Sequence, residues 1–397
     1  MKFQNLIYAT MVACAFSACS NDDDPNIPDP AQELDATLTV AFNAVGSNGS
    51  GLKSQTKSNV QGSEVGKIGI AVFNDGAMTN MAMGALINYK ERIANTVTDT
   101  TDCIDAKEGA VKVLVVVNPS ENVFQGKTTL EGFKEAIFAA DLNSAQPLMA
   151  SATISYNLKK GRNVASANSE TVFPVADNRF TDNIKVFRNV ANIDLESITL
   201  KPRADFATNA KLVVSKAFIM HYRSNVKVFG AATAWCPVVN DAADNIVPNT
   251  AGAEGIYTHS FSQVITGTNK ESVSANGEFF VYDNSSSTQI ANVKNATALV
   301  IQGTYTYTAS NGQTVTSKDA YWTVYINNNE VASNVTNDSG YTNLSHFGVL
   351  RNVKYVINAT ITGPGSDDPE TPTGAASITS NIEIVPWGTV ALNPDID

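Results

Sequence analysis

Short segments in which apolar side chains alternate with polar ones recur along most of the chain. In the first of them, Ala36–Asn43, the apolar residues Leu38, Val40 and Phe42 alternate with small or polar residues, which predicts a half-buried strand. The run Val111–Val117 is continuously apolar and rich in β-branched residues, so it predicts a strand buried on both faces. Further strands are predicted at Lys67–Phe73, Ile184–Val190, Ile193–Leu200, Lys211–Ile219, Glu278–Tyr282, Thr297–Tyr307, Tyr321–Ile326 and Lys354–Thr362.

One segment, Thr128–Ala140, has helical spacing instead. Its apolar residues are Leu130, Phe133, Ile137 and Phe138. Thr128 and Glu131 resemble a capping box, so we expect the helix to begin there. Many short strands and few short helices predict an all-β protein made of β-sandwiches.

The C-terminal part of the chain has an unusual order of segments. Residues 363–374 are rich in Gly, Pro, Asp, Ser and Thr and predict a linker. A strand-like segment follows at Ile378–Val385, with no hairpin partner nearby in the sequence, and it leads into Pro386 and Trp387. Its apolar residues Ile378, Ile382 and Ile384 occupy alternate positions, so one face could be buried.

The N-terminus has the features of a targeting signal. Lys2 precedes the mostly apolar run Leu6–Ala18, which is too short to span a membrane and ends in small residues before Cys19. Phe16–Cys19 is similar to the lipobox of bacterial lipoproteins, although Phe16 stands where Leu is usual. We therefore expect residues 1–18 to be a signal peptide and Cys19 to be lipidated. The acidic run at 22–24 resembles the surface-export signal of Bacteroides-type lipoproteins; a solvated acidic linker is the alternative.

Composition and charge restrict the possible partners. The 397 residues are 43% hydrophobic and 16% charged, which supports a substantial core, and the net charge of −11 comes without a Lys/Arg cluster. A nucleic-acid partner is not expected, because phosphate binding needs a basic face. Apart from Cys14 and Cys19, only Cys103 and Cys236 remain, and the sequence leaves open whether they pair.

Candidate catalytic and metal-binding residues are scattered. His221, His259 and His346 share no ligand spacing with one another or with cysteine. The nucleophile elbow, the paired-histidine zinc motif and the phosphate loop are missing from the sequence. We therefore expect no enzymatic activity, no metal site and no cofactor.

Segments spread over most of the chain resemble the major fimbrial subunit family of Bacteroidales, the type V pilins. None is specific alone, but their order matches the family. They are Pro147–Ser151, Val186–Leu195, Phe280–Asn284, Arg351–Tyr355, Thr362–Gly365 and Val385–Trp387.

The resemblance implies two tandem β-sandwich domains of transthyretin-like, Greek-key topology. It also implies a lipoprotein precursor, from which a surface trypsin-like protease removes the first strand. The C-terminal strand of another copy, or of a related subunit, then fills the groove. On this reading the segments are propeptide 19–53, N-terminal domain 54–230, C-terminal domain 231–375 and donor strand 376–397. Leu38, Val40 and Phe42 belong to the removable strand, and Ile378, Ile382, Ile384 and Trp387 to the donor.

One departure from the family concerns the cleavage site. The first arginine is Arg92, inside the predicted fold, whereas Lys53 and Lys57 lie in the loop after the first strand. We expect cleavage after one of these lysines; the alternative is that both are ordinary loop residues. Burying Leu38, Val40 and Phe42 contributes roughly 5–9 kcal/mol, so losing the strand would be severe without a replacement.

Four other functions remain open from the sequence. Within the same class, an anchor subunit would keep its lipid, and a tip subunit should lack a donor strand. A surface glycan-binding lipoprotein would present exposed aromatic residues on one face, yet Trp235, Trp322 and Trp387 do not cluster in the sequence. A secreted hydrolase on a β-sandwich is the third class. The leading hypothesis is a polymerising, adhesion-supporting subunit, located first at the outer membrane and then in the fimbria.

Overall fold

The computed structural model describes most of the chain between Leu34 and Leu392. The described residues are 34–40, 66–76, 78, 80–93, 103–138, 147–165, 178–181, 184–223, 225–229, 256–266, 272–328, 332–335, 344–370, 378–386 and 390–392. The predictions for Cys19, Phe42, Lys53, Lys57 and Trp387 concern positions outside these ranges.

Strands dominate both parts of the described chain, which confirms the all-β class. The first part contains β1 Ala36–Val40, β2 Lys67–Asn74, β3 Leu86–Ile93, β4 Ile104–Ala106, β5 Gly109–Val117, α1 Leu130–Lys134, β6 Ile137–Phe138, β7 Met149–Ser151, β8 Ile154–Leu158, β9 Gly161–Ala165, β10 Asn178–Phe180 and β11 Ile184–Arg188. The second part contains β12 Val190–Leu200, β13 Lys211–Met220, β14 Val226–Lys227, β15 Ile256–Thr266, β16 Ser272–Tyr282, β17 Asn284–Ser286, β18 Ala298–Thr308, β19 Thr314–Tyr325, β20 Ser333–Val335, β21 Leu344–Val349, β22 Val353–Ile361, β23 Ile378–Pro386 and β24 Val390–Leu392.

Two sheets share the first core. One has the order β10-β9-β1-β4, and the other has the order β24-β11-β7-β5-β2-β3, with β8 also paired to β5. Leu38 of β1 and Ile104 of β4 belong to the same buried cluster as Val72 of β2 and Val113 of β5. The β-branched run of β5 is central in its sheet and buried, as predicted.

Two further sheets share a second core. Their orders are β16-β12-β22-β23 and β15-β13-β18-β19. Ile193 of β12 and Ile357 of β22 belong to the same buried cluster as Leu299 of β18 and Trp322 of β19. Because β12 and β13 pair with strands that follow residue 255, a division of the chain near Asn189 fits the sheets better than the predicted boundary at residue 230.

The predicted helix is much shorter than expected. It covers only Leu130–Lys134, and its N-cap is Thr129 rather than Thr128, with Thr129 Oγ1 accepting from the Gly132 amide at 3.0 Å. Ile137 and Phe138 form β6 instead, paired with β14. The tertiary pairing with β14 therefore overrides the helical spacing.

A third cluster joins the two halves. Phe133 of α1 stacks on Phe124 with ring centroids 4.5 Å apart. Both residues pack in a cluster that also contains Val190 of β12 and Phe280 and Tyr282 of β16. The outer face of the larger first-half sheet is therefore covered by apolar residues from both halves.

Candidate functional site: the first strand and the C-terminal segment

The first strand lies inside a sheet rather than at its edge. β1 pairs antiparallel with β4 over three residue pairs and parallel with β9 over five. Leu38 stands opposite Ile104 on one side and Asn163 on the other. Both edges of β1 are therefore occupied by hydrogen-bonded neighbours.

The side chains of β1 are more deeply buried than the sequence predicted. Ala36, Leu38 and Val40 face the core with 2%, 0% and 2% exposure, as expected for the alternating residues. Thr39 points to the opposite face and is also only 1% exposed. The prediction of a half-buried strand is thus wrong for Thr39, because both faces of the strand are covered at that position.

Polar contacts hold the beginning of β1 to its neighbours. The Gly161 amide donates to the Asp35 carbonyl at 2.9 Å, and the Glu108 amide donates to the Asp35 carboxylate at 3.0 Å. The buried Asn163 side chain donates to the Thr37 carbonyl at 3.1 Å. These contacts set the register of β1 in addition to its apolar side chains.

The C-terminal strand has a partner in the same chain. β23 pairs antiparallel with β22 over nine residue pairs, and it forms the edge of its sheet. Ile378 is 7% exposed and Ile382 packs partly buried against the second core, whereas Asn381 and Glu383 are exposed. The sequence showed no nearby hairpin partner for this strand, and in the structure its partner is β22, from which 16 residues (362–377) separate it.

The last short strand reaches the other half of the molecule. β24 pairs antiparallel with β11, with Leu392 opposite Ile184 and Val390 opposite Val186. The C-terminal segment therefore contributes one strand to a second-half sheet and one to a first-half sheet.

The predicted linker is partly folded against β19. We call Gly363–Glu370 the strap. The Trp322 indole donates to the Gly363 carbonyl at 3.0 Å, and Thr323 Oγ1 donates to the Pro369 carbonyl at 2.8 Å. Tyr321 and Ser366 exchange two backbone hydrogen bonds of 2.8 and 2.9 Å. Residues 363–370 of the predicted linker are therefore hydrogen-bonded to β19.

Glu370 at the end of the strap meets a buried histidine. His221 Nε2 lies 3.0 and 3.1 Å from the two Glu370 carboxylate oxygens, and His221 Nδ1 lies 3.2 Å from the Ala296 carbonyl. Burial raises the pKa of the nearby Tyr325 hydroxyl, and the charges of Glu370 and Asp368 raise it further. The strap thus brings negative charge to the side of the second core.

A buried polar junction lies between the two halves. Arg351 and Asp283 are both 0% exposed, with Arg351 Nε 3.3 Å from Asp283 Oδ2, and Arg351 Nη1 donates to the Lys227 carbonyl at 3.2 Å. The Arg188 amide donates to Asn352 Oδ1 at 3.3 Å, and burial lowers the pKa of Arg188 to about 10.

The junction connects segments that are far apart in the sequence. Three of the family-like segments meet there, those containing Arg188, Asp283 and Arg351. Sequence reasoning did not identify the junction, because nothing in the spacing of these residues pairs them. The available indication was a charged residue at or near the end of a strand in each of the three segments.

Of the other histidine candidates, His346 lies in the core, and the surroundings of the His259 side chain are outside the described part of the chain. His346 Nε2 lies 2.8 Å from the Tyr355 hydroxyl inside the core. Among the described residues, no group of three metal-binding side chains comes together, and no helix is long and apolar enough to cross a bilayer. Cys103, directly before β4, is disulfide-bonded, while position 236 lies outside the described residues.

Comparisons with known proteins agree with this architecture. No family model matches the chain. The chain is 24% identical over 427 aligned positions to Major fimbrium subunit FimA type-5 of Porphyromonas gingivalis, covering 98% of each protein.

Solved structures share the fold along most of the chain. A candidate cell adhesion protein from Parabacteroides distasonis has a TM-score of 0.62 at 18% identity, covering 89% of this chain and 98% of that one. A fimbrilin from Porphyromonas gingivalis has a TM-score of 0.54 at 16% identity, covering 91% and 99%. The chain is therefore similar over its full length to a curated fimbrial subunit, and it shares the all-β fold of these solved structures.

Proposed function

We propose that the chain is a structural subunit of a cell-surface fimbria that supports adhesion and polymerises by donor-strand exchange. It is exported as a lipoprotein acylated at Cys19 and held at the outer membrane. A surface trypsin-like protease cuts after Lys53 or Lys57, which removes both the lipid and β1. The C-terminal segment of another copy, or of a related subunit, then takes the place of β1.

The interior position of β1 carries this proposal. Removing β1 exposes the facing backbone edges of β4 and β9 together with the apolar groove that held Leu38 and Val40. Burial of these two side chains is worth roughly 3–6 kcal/mol, a large part of the typical 5–15 kcal/mol stability of a domain. An extended peptide with alternating apolar residues restores both the backbone hydrogen bonds and the apolar contacts.

The C-terminal segment supplies such a peptide. Ile378, Ile382 and Ile384 lie on alternate positions of β23, and Trp387 follows them in the sequence. Among the described residues β23 pairs along one edge, with β22, so its release breaks that row of backbone hydrogen bonds. Release of the whole C-terminal segment also breaks the short pairing of β24 with β11. Donation from each subunit to the next is a head-to-tail contact that does not close, so it yields a filament.

Trypsin digestion of purified wild-type chain and of a Lys53→Ala/Lys57→Ala variant tests the proposal. For wild type we expect a new N-terminus at Ser54 or Ser58, read by N-terminal sequencing, and an SDS-resistant ladder on gels. The double variant should stay monomeric, whereas the control Lys201→Ala, at an exposed position, should polymerise like wild type. Polymers that form equally well from the double variant would contradict the proposed trigger.

A further inference from the structure

The strap follows the outer edge of β19, which is the edge strand of its sheet. Its contacts are distributed along its length: Gly363 is fixed by Trp322, Ser366 by two backbone bonds to Tyr321, and Pro369 by Thr323. The strap is therefore attached to its own subunit immediately before the chain continues toward β23.

The last attachment of the strap is the contact between His221 and Glu370. The side chain of His221 is 1% exposed and that of Glu370 19%. The ring is held at both nitrogens, by a carbonyl oxygen at Nδ1 and a carboxylate at Nε2. These two contacts fix the orientation of the ring, and a hydrogen bond to a carboxylate is stronger than one between neutral groups.

Two backbone features indicate that the attachment is specific. His221 has φ +53°, a left-handed conformation that a histidine adopts only at a cost, so other contacts hold it in place. A Cβ at Gly365 would lie 2.6 Å from the Tyr321 carbonyl oxygen, so the strap approaches β19 at a distance that only glycine permits.

We propose that His221 and Glu370 are positioning residues for strand donation, an inference that rests on the proposed function. They clamp the strap to its own subunit, so that only the chain after Glu370 leaves during exchange. If the clamp opened, the eight residues of the strap would lengthen the moving segment by about 26 Å of extended chain. The clamp thus sets how far one subunit can stand from the next.

Hydrogen exchange of the uncleaved monomer tests the clamp without any need for polymerisation. In wild type the Ser366 amide should exchange more slowly than the β23 amides, because the strap stays in place when the edge strand opens. Glu370→Ala should speed exchange at Ser366 about 10- to 100-fold, as expected for losing a hydrogen bond to a charged group.

Two variants separate the clamp from a general loss of charge. Glu370→Gln should restore most of the protection, because the amide side chain has the size of the carboxylate and can still form a hydrogen bond with Nε2. Asp194→Ala is the matched control: its side chain is 17% exposed and pairs with Lys354 at 2.7 Å in the same half of the molecule, but it does not touch the strap. Asp194→Ala should leave the exchange rate of Ser366 unchanged.

Gly365→Ala provides an independent test, because it displaces the strap sterically and leaves the charges alone. It should accelerate exchange at Ser366 as Glu370→Ala does. Filaments grown from either variant should show a broader distribution of subunit spacings by electron microscopy than wild-type filaments.

Two results would contradict the proposed clamp. One is that the Ser366 amide and the β23 amides exchange at the same rate in wild type, and the other is that Glu370→Ala leaves the exchange rate of Ser366 unchanged. Wild-type chain that never polymerises would instead refute the proposed function.

Discussion

The first strand and the C-terminal strand are held in opposite ways. β1 has neighbours on both edges, and its residues Leu38 and Thr39 are 0% and 1% exposed. Within the described ranges β23 has a neighbour on one edge, β22, and Asn381 and Glu383 along it are exposed. The strand proposed to be discarded is thus the firmly held one, and the strand proposed to be donated is the loosely held one.

This difference suggests why polymerisation would need a protease. An interior strand that is covalently linked to its sheet returns to its place faster than a strand from another molecule can replace it, because closing a loop within one chain costs less entropy than association. Cutting the chain after β1 removes that advantage. An edge strand such as β23 can leave without disturbing the rest of its sheet, so no second cut is required.

The largest expected loss of stability comes from a substitution in the buried polar junction, which is part of neither β1 nor β23. Asp283→Asn removes the carboxylate charge that lies 3.3 Å from the fully buried Arg351, and it should lower the free energy of unfolding by about 3–5 kcal/mol in urea titration. Asp319→Asn, at an exposed position, is the control and should change it little. A loss below about 1 kcal/mol would mean that water reaches the junction.

The next largest loss of stability is expected in β1, and it is compared with the loss from a matching change in β23. Leu38→Ala should cost about 2–5 kcal/mol, because it opens a cavity in a core where Leu38 is 0% exposed. The measurement is urea unfolding of the uncleaved monomer. A cost equal to that of the matching change in β23 would contradict the contrast between an interior strand and an edge strand.

In β23 the matching change is Ile382→Ala. Ile382 is only partly buried against the second core, so its truncation should cost about 1 kcal/mol. Hydrogen exchange should quicken along β23 and leave β1 unaffected. Faster exchange in β1 would show that the two strands open together.

The smallest effect is a pH dependence in β22, the strand that receives β23. Burial lowers the pKa of Lys354, but its hydrogen bond to Asp194 and the charges of Asp194 and Glu278 outweigh this, so the pKa is raised above 10.5. The resulting stability is complete below pH 10.5 and is lost as pH rises through the folded pKa. Since the cluster is partly exposed, we expect about 0.2–1 kcal/mol, seen as a steeper alkaline loss of stability in wild type than in Asp194→Asn.

The sequence predicted the positions of strands better than it predicted which segments pair with one another. The alternation in β1 and the apolar run of β5 are consequences of local burial, and both predictions of a strand were confirmed. The helix at 130–134 was overestimated because Ile137 and Phe138 pair with β14, a contact between residues about 90 positions apart. Such non-local pairings leave no trace in local periodicity.

The candidate site was only partly visible in the sequence. Linker composition at 363–374 concealed the strap, because the contacts to Trp322 and Thr323 use mainly backbone carbonyls and do not depend on side-chain type. The pairing of β23 with β22 was missed because the connection between them is long. His221 was assessed only as a metal ligand, and its carboxylate partner lies 149 positions away.

The most direct test asks whether the C-terminal segment of one subunit completes another. Chains lacking residues 376–397 are treated with trypsin beside full-length chains, and products are resolved on SDS gels without boiling. We predict ladders from full-length chains and monomers from the truncated ones, with ladders restored when cleaved full-length subunits are added. SDS-resistant ladders from the truncated chain alone would contradict completion of the fold between subunits.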